Sequence, residues 1–88
     1  MKNYINKFIE VNSRIFGNAK IIDIREVAAI GLNAIRAYDF YIENSEDVYS
    51  IDVEEYEHMY SIRNITRVNG EPHQMEMYLF ENLYENKH

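Results

Sequence analysis

The chain contains no cysteine, one proline and only three glycines among its 88 residues. Without cysteine it can form no disulfide, thiolate nucleophile or cysteine-based zinc site, and this composition fits a reducing cytoplasm. Gly17, Gly31 and Gly70 stand apart in the sequence, so no glycine-rich phosphate loop is encoded. No stretch approaches the roughly 20 apolar residues of a membrane span, and no signal-peptide cleavage site follows the N-terminus. We therefore expect a cytoplasmic protein of a bacterial host.

Groups that bind metals or carry out catalysis are also scarce. The spacing of an EF-hand calcium loop is missing, and the three histidines, His58, His73 and His88, include no pair at helical ligand spacing. Ser61 follows His58 closely, but no nucleophile elbow or set of oxyanion donors accompanies them. We predict no enzyme activity, no cofactor and no metal site.

What the chain does have is enough apolar residues for a core. Hydrophobic residues make up 47% of the sequence, which is typical of a globular protein rather than a disordered one. A chain of this length forms a single small domain, so we assign residues 1–88 to one unit with residues 81–88 frayed.

Charge is distributed unevenly along the chain, whose net charge is −6. Residues 1–36 contain six basic and three acidic side chains, whereas residues 37–88 contain three basic and twelve acidic ones. A negative field of this kind repels nucleic acid and favours a basic protein partner.

The pattern predicts an antiparallel α+β domain, a small β-meander or partial barrel with one short helix. Residues 7–13 alternate in the manner of a strand, and Gly17 and Asn18 supply a turn. Residues 20–42 fit either a helix capped by Asp23 or strands at 19–24, 27–32 and 35–42, of which we favour the strands.

A polar turn at residues 44–47 then leads into a strand at 48–51. Asp52 resembles a helix N-cap with Glu55 at the third helical position, which predicts a helix over residues 53–62. Asn69 and Gly70 favour a hairpin with arms at 64–68 and 74–80, but they fit a helix C-cap followed by Pro72 equally well. A helix over 75–84 competes with the second arm.

A hydrophobic rhythm runs through residues 7–62 in the predicted order of strands, turn and helix. The positions that carry it are Ile22, Ile24, Ile30, Tyr49, Ile51, Val53, Glu54, Glu55 and Tyr56. In this rhythm, rather than in any chemical motif, the chain resembles small β-meander proteins of the flagellar FlbD type and similar phage-encoded short proteins. The resemblance implies a compact meander with one helix, and it brings no catalytic residues to this chain.

The basic N-terminal half could in principle form a stacking and phosphate-binding surface with Phe8 and Phe16. Both phenylalanines are explained more simply as core residues, and the overall field has the wrong sign for nucleic acid. We therefore expect no direct binding of nucleic acid.

Residues 43–60 contain seven carboxylates and no lysine or arginine. Solvated turns and helix capping would account for such residues in a structural role. The alternative interpretation is a docking face for a basic protein, in which tyrosines supply rigid contact area. Its predicted residues are Glu43, Glu46, Asp47, Tyr49, Asp52, Glu54, Glu55, Tyr56 and Glu57.

We therefore predict a non-enzymatic protein-binding module, an inhibitor or regulator of the anti-defence type from a phage or mobile element, which acts by occluding a basic site or by mimicking nucleic acid. The alternative is a structural or assembly protein. Such a protein would form a homodimer through an exposed strand edge, unless Tyr78, Phe80 and Tyr84 cover that edge.

Overall fold

The computed structural model describes residues 1–68 as two helices and a four-stranded sheet. Helix α1 spans Lys2–Val11 and α2 spans Ser13–Phe16, and the strands follow as β1 (Lys20–Val27), β2 (Arg36–Glu43), β3 (Val48–Glu55) and β4 (Tyr60–Arg67). The strands lie in the order β1-β2-β3-β4, and every neighbouring pair is antiparallel. The predicted α+β class with an antiparallel meander is confirmed.

The helices cover one face of the sheet. Along α1, Tyr4, Ile5, Phe8 and Ile9 are buried at the spacing of one helical face. They join Phe16 and the inward residues of the strands in a single core, which also contains Ala19, Phe40, Ile42, Tyr49, Ile51, Val53, Ile62 and Ile65.

The strand predicted over residues 7–13 is wrong, because this segment belongs to α1 and the start of α2. Its alternation begins to look helical only when Tyr4 and Ile5 are included, since these two side chains complete an apolar stripe with Phe8 and Ile9. Burial of that stripe against the sheet outweighs the local preference of Ile9 and Val11 for strands.

The helix predicted over residues 53–62 is also wrong. β3 continues to Glu55, the chain reverses through residues 56–59, and β4 begins at Tyr60. The Tyr56 N–H donates to the Met59 carbonyl at 2.8 Å and closes the reversal. Tyr49, Ile51 and Val53 point into the core at every second position, and this strand period decides the structure.

The three-residue spacing of Ile62 and Ile65 has its cause in a β-bulge. Asn64 pairs with Asp52, whereas Ile62 pairs with Val53, so Arg63 is the extra residue. Because the bulge absorbs one position, both isoleucines reach the core from the same strand.

Elsewhere the strands agree more closely with the sequence. Strands were expected at 19–24 and 35–42, where β1 and β2 lie, but the strand expected at 27–32 is a loop over residues 28–35. The polar turn at 44–47 is confirmed, and part of the arm predicted at 64–68 belongs to β4. The predicted turn at 69–70, the arm at 74–80, its helical alternative and the frayed end lie outside the described residues.

Candidate functional site

The sheet has a second face, which we call the outer face, formed by the residues that alternate with the core positions. It carries Asp23 and Arg25 from β1, Asp39 and Tyr41 from β2, Ser50 and Asp52 from β3, and Asn64 and Thr66 from β4. Within residues 1–68 no helix packs on this face, because both helices contribute their buried side chains to the core on the opposite side.

Two carboxylates lie side by side at the centre of the outer face. Asp39 and Asp52 are direct cross-strand partners, and both are partly buried. Loss of solvent raises the pKa of Asp39, and it also raises the pKa of Asp52, to which the negative charge of Asp39 adds. Arg25 and Arg63 oppose these shifts without cancelling them.

An arginine and a tyrosine border this pair on the β1 side. Arg25 Nε lies 2.9 Å from Asp23 Oδ2, and its guanidinium carbon lies 5.2 Å from the centre of the Tyr41 ring. That distance is within the range of a cation–π contact. The aromatic ring beside the two central carboxylates is therefore already in contact with Arg25.

A third carboxylate, that of Glu54, is buried at the end of β3, with only 1% of the residue exposed. The N–H groups of Ile30 and Gly31 each donate to its Oε2 at 2.8 Å, and the Tyr56 hydroxyl donates to its Oε1 at 2.9 Å. Arg63 Nη1 lies 3.4 Å from Oε2. Burial alone would raise the pKa of Glu54, but these donors outweigh it and hold the pKa below its ordinary value.

Glu54 thereby holds the loop of residues 28–35 against the sheet, and we call this segment the apolar loop. The Ile35 N–H donates to the Glu55 carbonyl at 2.7 Å, and the Ala34 N–H donates to the Gly31 carbonyl at 3.1 Å. A Cβ on Gly31 would collide with the Tyr56 hydroxyl and come within 2.7 Å of Glu54 Oε1. Glycine is needed here because the backbone approaches the carboxylate so closely.

The structure divides the nine residues of the predicted docking face among several places. Glu43, Glu46 and Asp47 lie at one end of the sheet, around the 44–47 turn, whereas Glu55, Tyr56 and Glu57 lie at the other end. Only Asp52 lies near the centre of the outer face. These residues do not form one continuous acidic surface.

Two of the nine lie inside the molecule. Tyr49 belongs to the core, where its ring meets that of Phe16 edge-on at 5.0 Å, and burial raises the pKa of its hydroxyl. Glu54 holds the apolar loop. Neither side chain is accessible to a partner.

Asp39 was missed by the sequence analysis because it lies outside the acidic stretch. The available signal was the period of two in β2, where Phe40 and Ile42 point inward and Asp39 and Tyr41 therefore point outward. The period of two shows only that Asp39 points outward. The register of β2 and β3 is also needed to show that Asp39 lies opposite Asp52.

Comparison of the chain with protein-family models, curated proteins and solved structures found no match. The likeness to FlbD-type proteins stays a prediction. Among residues 1–68 no helix is long and apolar enough to cross a membrane, and no group of three or more acidic or histidine side chains is arranged to hold a metal ion.

Proposed function

We propose that this protein is a non-enzymatic protein-binding module that docks on a basic protein surface through the outer face of its sheet. The observation that carries the proposal is the cross-strand pair of Asp39 and Asp52 on a face that neither helix of residues 1–68 covers. Like charges directly opposite each other destabilise a sheet, by about 0.2–1 kcal/mol on the scale of cross-strand pairs.

A partner that inserts a lysine or arginine side chain between the two carboxylates converts this repulsion into attraction. A guanidinium group suits the role, because it donates to two carboxylates in fixed directions. Binding of such a side chain therefore relieves the repulsion between Asp39 and Asp52.

The exposed acids at the ends of the sheet contribute in a different way. Glu43 and Glu46 near one turn and Glu57 at the other reversal are exposed and add to a net charge of −6. Charges of this kind accelerate the encounter with a basic partner more than they strengthen the final complex.

The setting that we propose is the cytoplasm of a bacterial host, where the protein acts as an inhibitor or regulator encoded by a phage or mobile element. Its lack of cysteine and its acidic charge support this setting. Carboxylates carried on a sheet face would occupy a basic channel that otherwise accepts nucleic acid, so the inhibition is by occlusion.

The test compares two double variants with the same change in net charge. Asp39→Asn with Asp52→Asn removes the central pair, whereas Glu10→Gln with Glu26→Gln removes one exposed carboxylate from α1 and one from β1. The probe is a labelled ten-residue oligoarginine peptide, whose affinity is measured by fluorescence anisotropy at several salt concentrations.

We expect the Asp39/Asp52 variant to lose about tenfold in affinity, which corresponds to about 1.4 kcal/mol, and the Glu10/Glu26 variant to lose much less. Denaturant unfolding should show the Asp39/Asp52 variant to be at least as stable as the wild type, because a repulsion has been removed. Equal losses of affinity in the two variants would show that net charge, rather than the central pair, attracts the peptide.

Self-association through a strand edge is the second candidate. Within residues 1–68 β1 lies at one edge of the sheet, and most of its residues are exposed. Antiparallel pairing with a second copy about Ile24 would set each Asp23 opposite an Arg25 of the other copy. A doubled mass in sedimentation that disappears on Asp23→Arg and returns when Arg25→Asp is added would support this dimer.

A further inference from the structure

The apolar loop exposes large hydrophobic side chains in a way that the core does not require. Leu32 is 89% exposed, Ile30 is 75% exposed and Ile35 is 53% exposed. The segment from Val27 to Ile35 contains no charged residue. Single exposed hydrophobic residues are ordinary on protein surfaces, but a group of them on one loop indicates a contact surface.

The loop is held in place by long-range contacts rather than by its own side chains. Glu54 accepts hydrogen bonds from the N–H groups of Ile30 and Gly31, which lie 24 and 23 residues earlier in the sequence. The Tyr56 hydroxyl also hydrogen-bonds Glu54, and this bond raises the pKa of Tyr56, so that the hydroxyl stays a donor. A loop ordered in advance loses little conformational entropy on binding.

The loop borders the acidic centre of the outer face. Glu54 pairs with Ala37 in the register of β2 and β3, and Ala37 is only 1% exposed. Asp39 and Asp52 are the next residues on the same face, two positions along each strand, or about 7 Å away by the rise of a strand. Apolar and acidic groups therefore adjoin on one side of the molecule.

We propose that the apolar loop is the hydrophobic anchor of the interface, and that the basic partner receives Ile30 and Leu32 in an apolar cleft flanked by lysine or arginine side chains. This inference rests on the function proposed above and names the chemistry of the partner at the same site. Charge complementarity selects this occupant, because Ala37 and Glu54, which lie beneath the loop, are followed along the same face of their strands by Asp39 and Asp52. The net charge of −6 opposes both a second copy and an anionic bilayer.

The test uses two labelled model peptides, each of 14 residues. One is an amphipathic helix of leucine and arginine, and the other has serine in place of every leucine. The test variant is Ile30→Ser with Leu32→Ser. The control is Val11→Ser with Ile15→Ser, which changes two exposed hydrophobic residues in the helical layer.

We expect the wild type to bind the leucine-containing peptide about tenfold more tightly than the serine-containing one, because burying one leucine contributes about 1.5–3 kcal/mol. The Ile30/Leu32 variant should lose this preference and keep the weak binding of the serine peptide. The Val11/Ile15 control should keep the preference. An unchanged preference in the Ile30/Leu32 variant, or no preference in the wild type, would overturn the anchor.

A failure of the basic-partner proposal gives a different result from a failure of the anchor proposal. If Asp39→Asn with Asp52→Asn leaves the binding of the serine peptide unchanged, the basic-partner proposal fails whatever the loop does. Two further measurements, sedimentation and flotation with phosphatidylcholine vesicles, examine the other occupants. A mass or a vesicle-bound fraction that falls in the Ile30/Leu32 variant but not in the control would assign the loop to a second copy or to a bilayer, and would overturn the proposal.

Discussion

Two connections between neighbouring strands satisfy their backbone N–H groups in different ways. The 44–47 turn between β2 and β3 is polar, and Asn44 satisfies it locally by accepting from the N–H groups of Glu46 and Asp47 at 2.8 Å. The apolar loop between β1 and β2 contains little polar chemistry of its own and depends on Glu54, on a distant strand. The first connection is bonded mainly by its own residues, with one further bond from Asn44 Nδ2 to the Phe16 carbonyl, whereas the second is bonded to a carboxylate of β3.

The difference explains what each connection can present to solvent. A turn whose own side chains hydrogen-bond its backbone must be polar, because asparagine, serine and aspartate are the residues that can form such bonds. A loop whose N–H groups are satisfied by a carboxylate from elsewhere can use its own side chains for another purpose. The apolar loop uses them to display isoleucine and leucine.

The largest effect on stability should follow from removing the Glu54 carboxylate. Glu54→Ala leaves the N–H groups of Ile30 and Gly31 without their acceptor and Arg63 without its partner, which should lower the free energy of unfolding by about 3 kcal/mol. Denaturant unfolding measures the change. Glu57→Ala, at an exposed site three residues further on, is the control and should change stability by less than about 0.5 kcal/mol. A loss below about 1 kcal/mol for Glu54→Ala would contradict the assigned role.

Acid should weaken only one of the two connections. Because folding lowers the pKa of Glu54 from its ordinary value of 4.5, its contribution is present above about pH 4.5 and is lost as the pH falls through the folded-state pKa. Glutamine does not ionise, so only the wild type loses stability as Glu54 becomes protonated. The stability deficit of the Glu54→Gln variant relative to the wild type should therefore shrink below pH 4.5. Asn44→Ala should keep a constant deficit over the same range, since an amide does not ionise there. A deficit of Glu54→Gln that stays constant with pH would show that the charge of Glu54 is not what holds the loop.

A smaller effect should follow from Asn44→Ala alone. This change removes the acceptor for two turn N–H groups and the donor to the Phe16 carbonyl, but solvent reaches the exposed turn and replaces part of the loss. We expect a decrease of about 1 kcal/mol in the free energy of unfolding. Amide exchange should accelerate at residues 45–47 and stay slow at Ile30 and Gly31. Faster exchange at both connections would mean that they are coupled, against the comparison drawn above.

The same contrast shows which parts of the fold could be predicted from the sequence. The 44–47 turn was predicted correctly because the residues that stabilise it are neighbours in sequence. The apolar loop was interpreted as a strand over residues 27–32, because several of its residues favour strands and the carboxylate that accepts its N–H groups lies in β3. Long-range contacts of this kind leave no local pattern.

Two errors concerned the choice between helix and strand. Residues 53–62 carry a convincing helix start at Asp52 and Glu55, but Val53 is buried in the core, and a bulge at Arg63 shifts the register with β4 so that Ile62 pairs with Val53. Residues 7–13 alternate like a strand, but the complete apolar stripe begins at Tyr4. In both places tertiary packing decided between two local patterns that were nearly equal.

For the candidate site, the sequence supplied the acidic character but not the arrangement. Glu54 looked like one of several surface acids, and only the structure shows the loop backbone that it binds. Asp39 gains its importance from its register with Asp52, a property of two strands together. A list of charged residues contains no information about register.

The close approach of Gly31 to Glu54 has a consequence for engineering. The hydrogen bonds of the loop join main-chain N–H groups to Glu54 and to main-chain carbonyls, and the side chains at positions 30 and 32 are largely exposed. Those two positions can be randomised in a library while Gly31 and Glu54 are kept. The scaffold would then accept new recognition sequences much as an antibody framework accepts grafted loops.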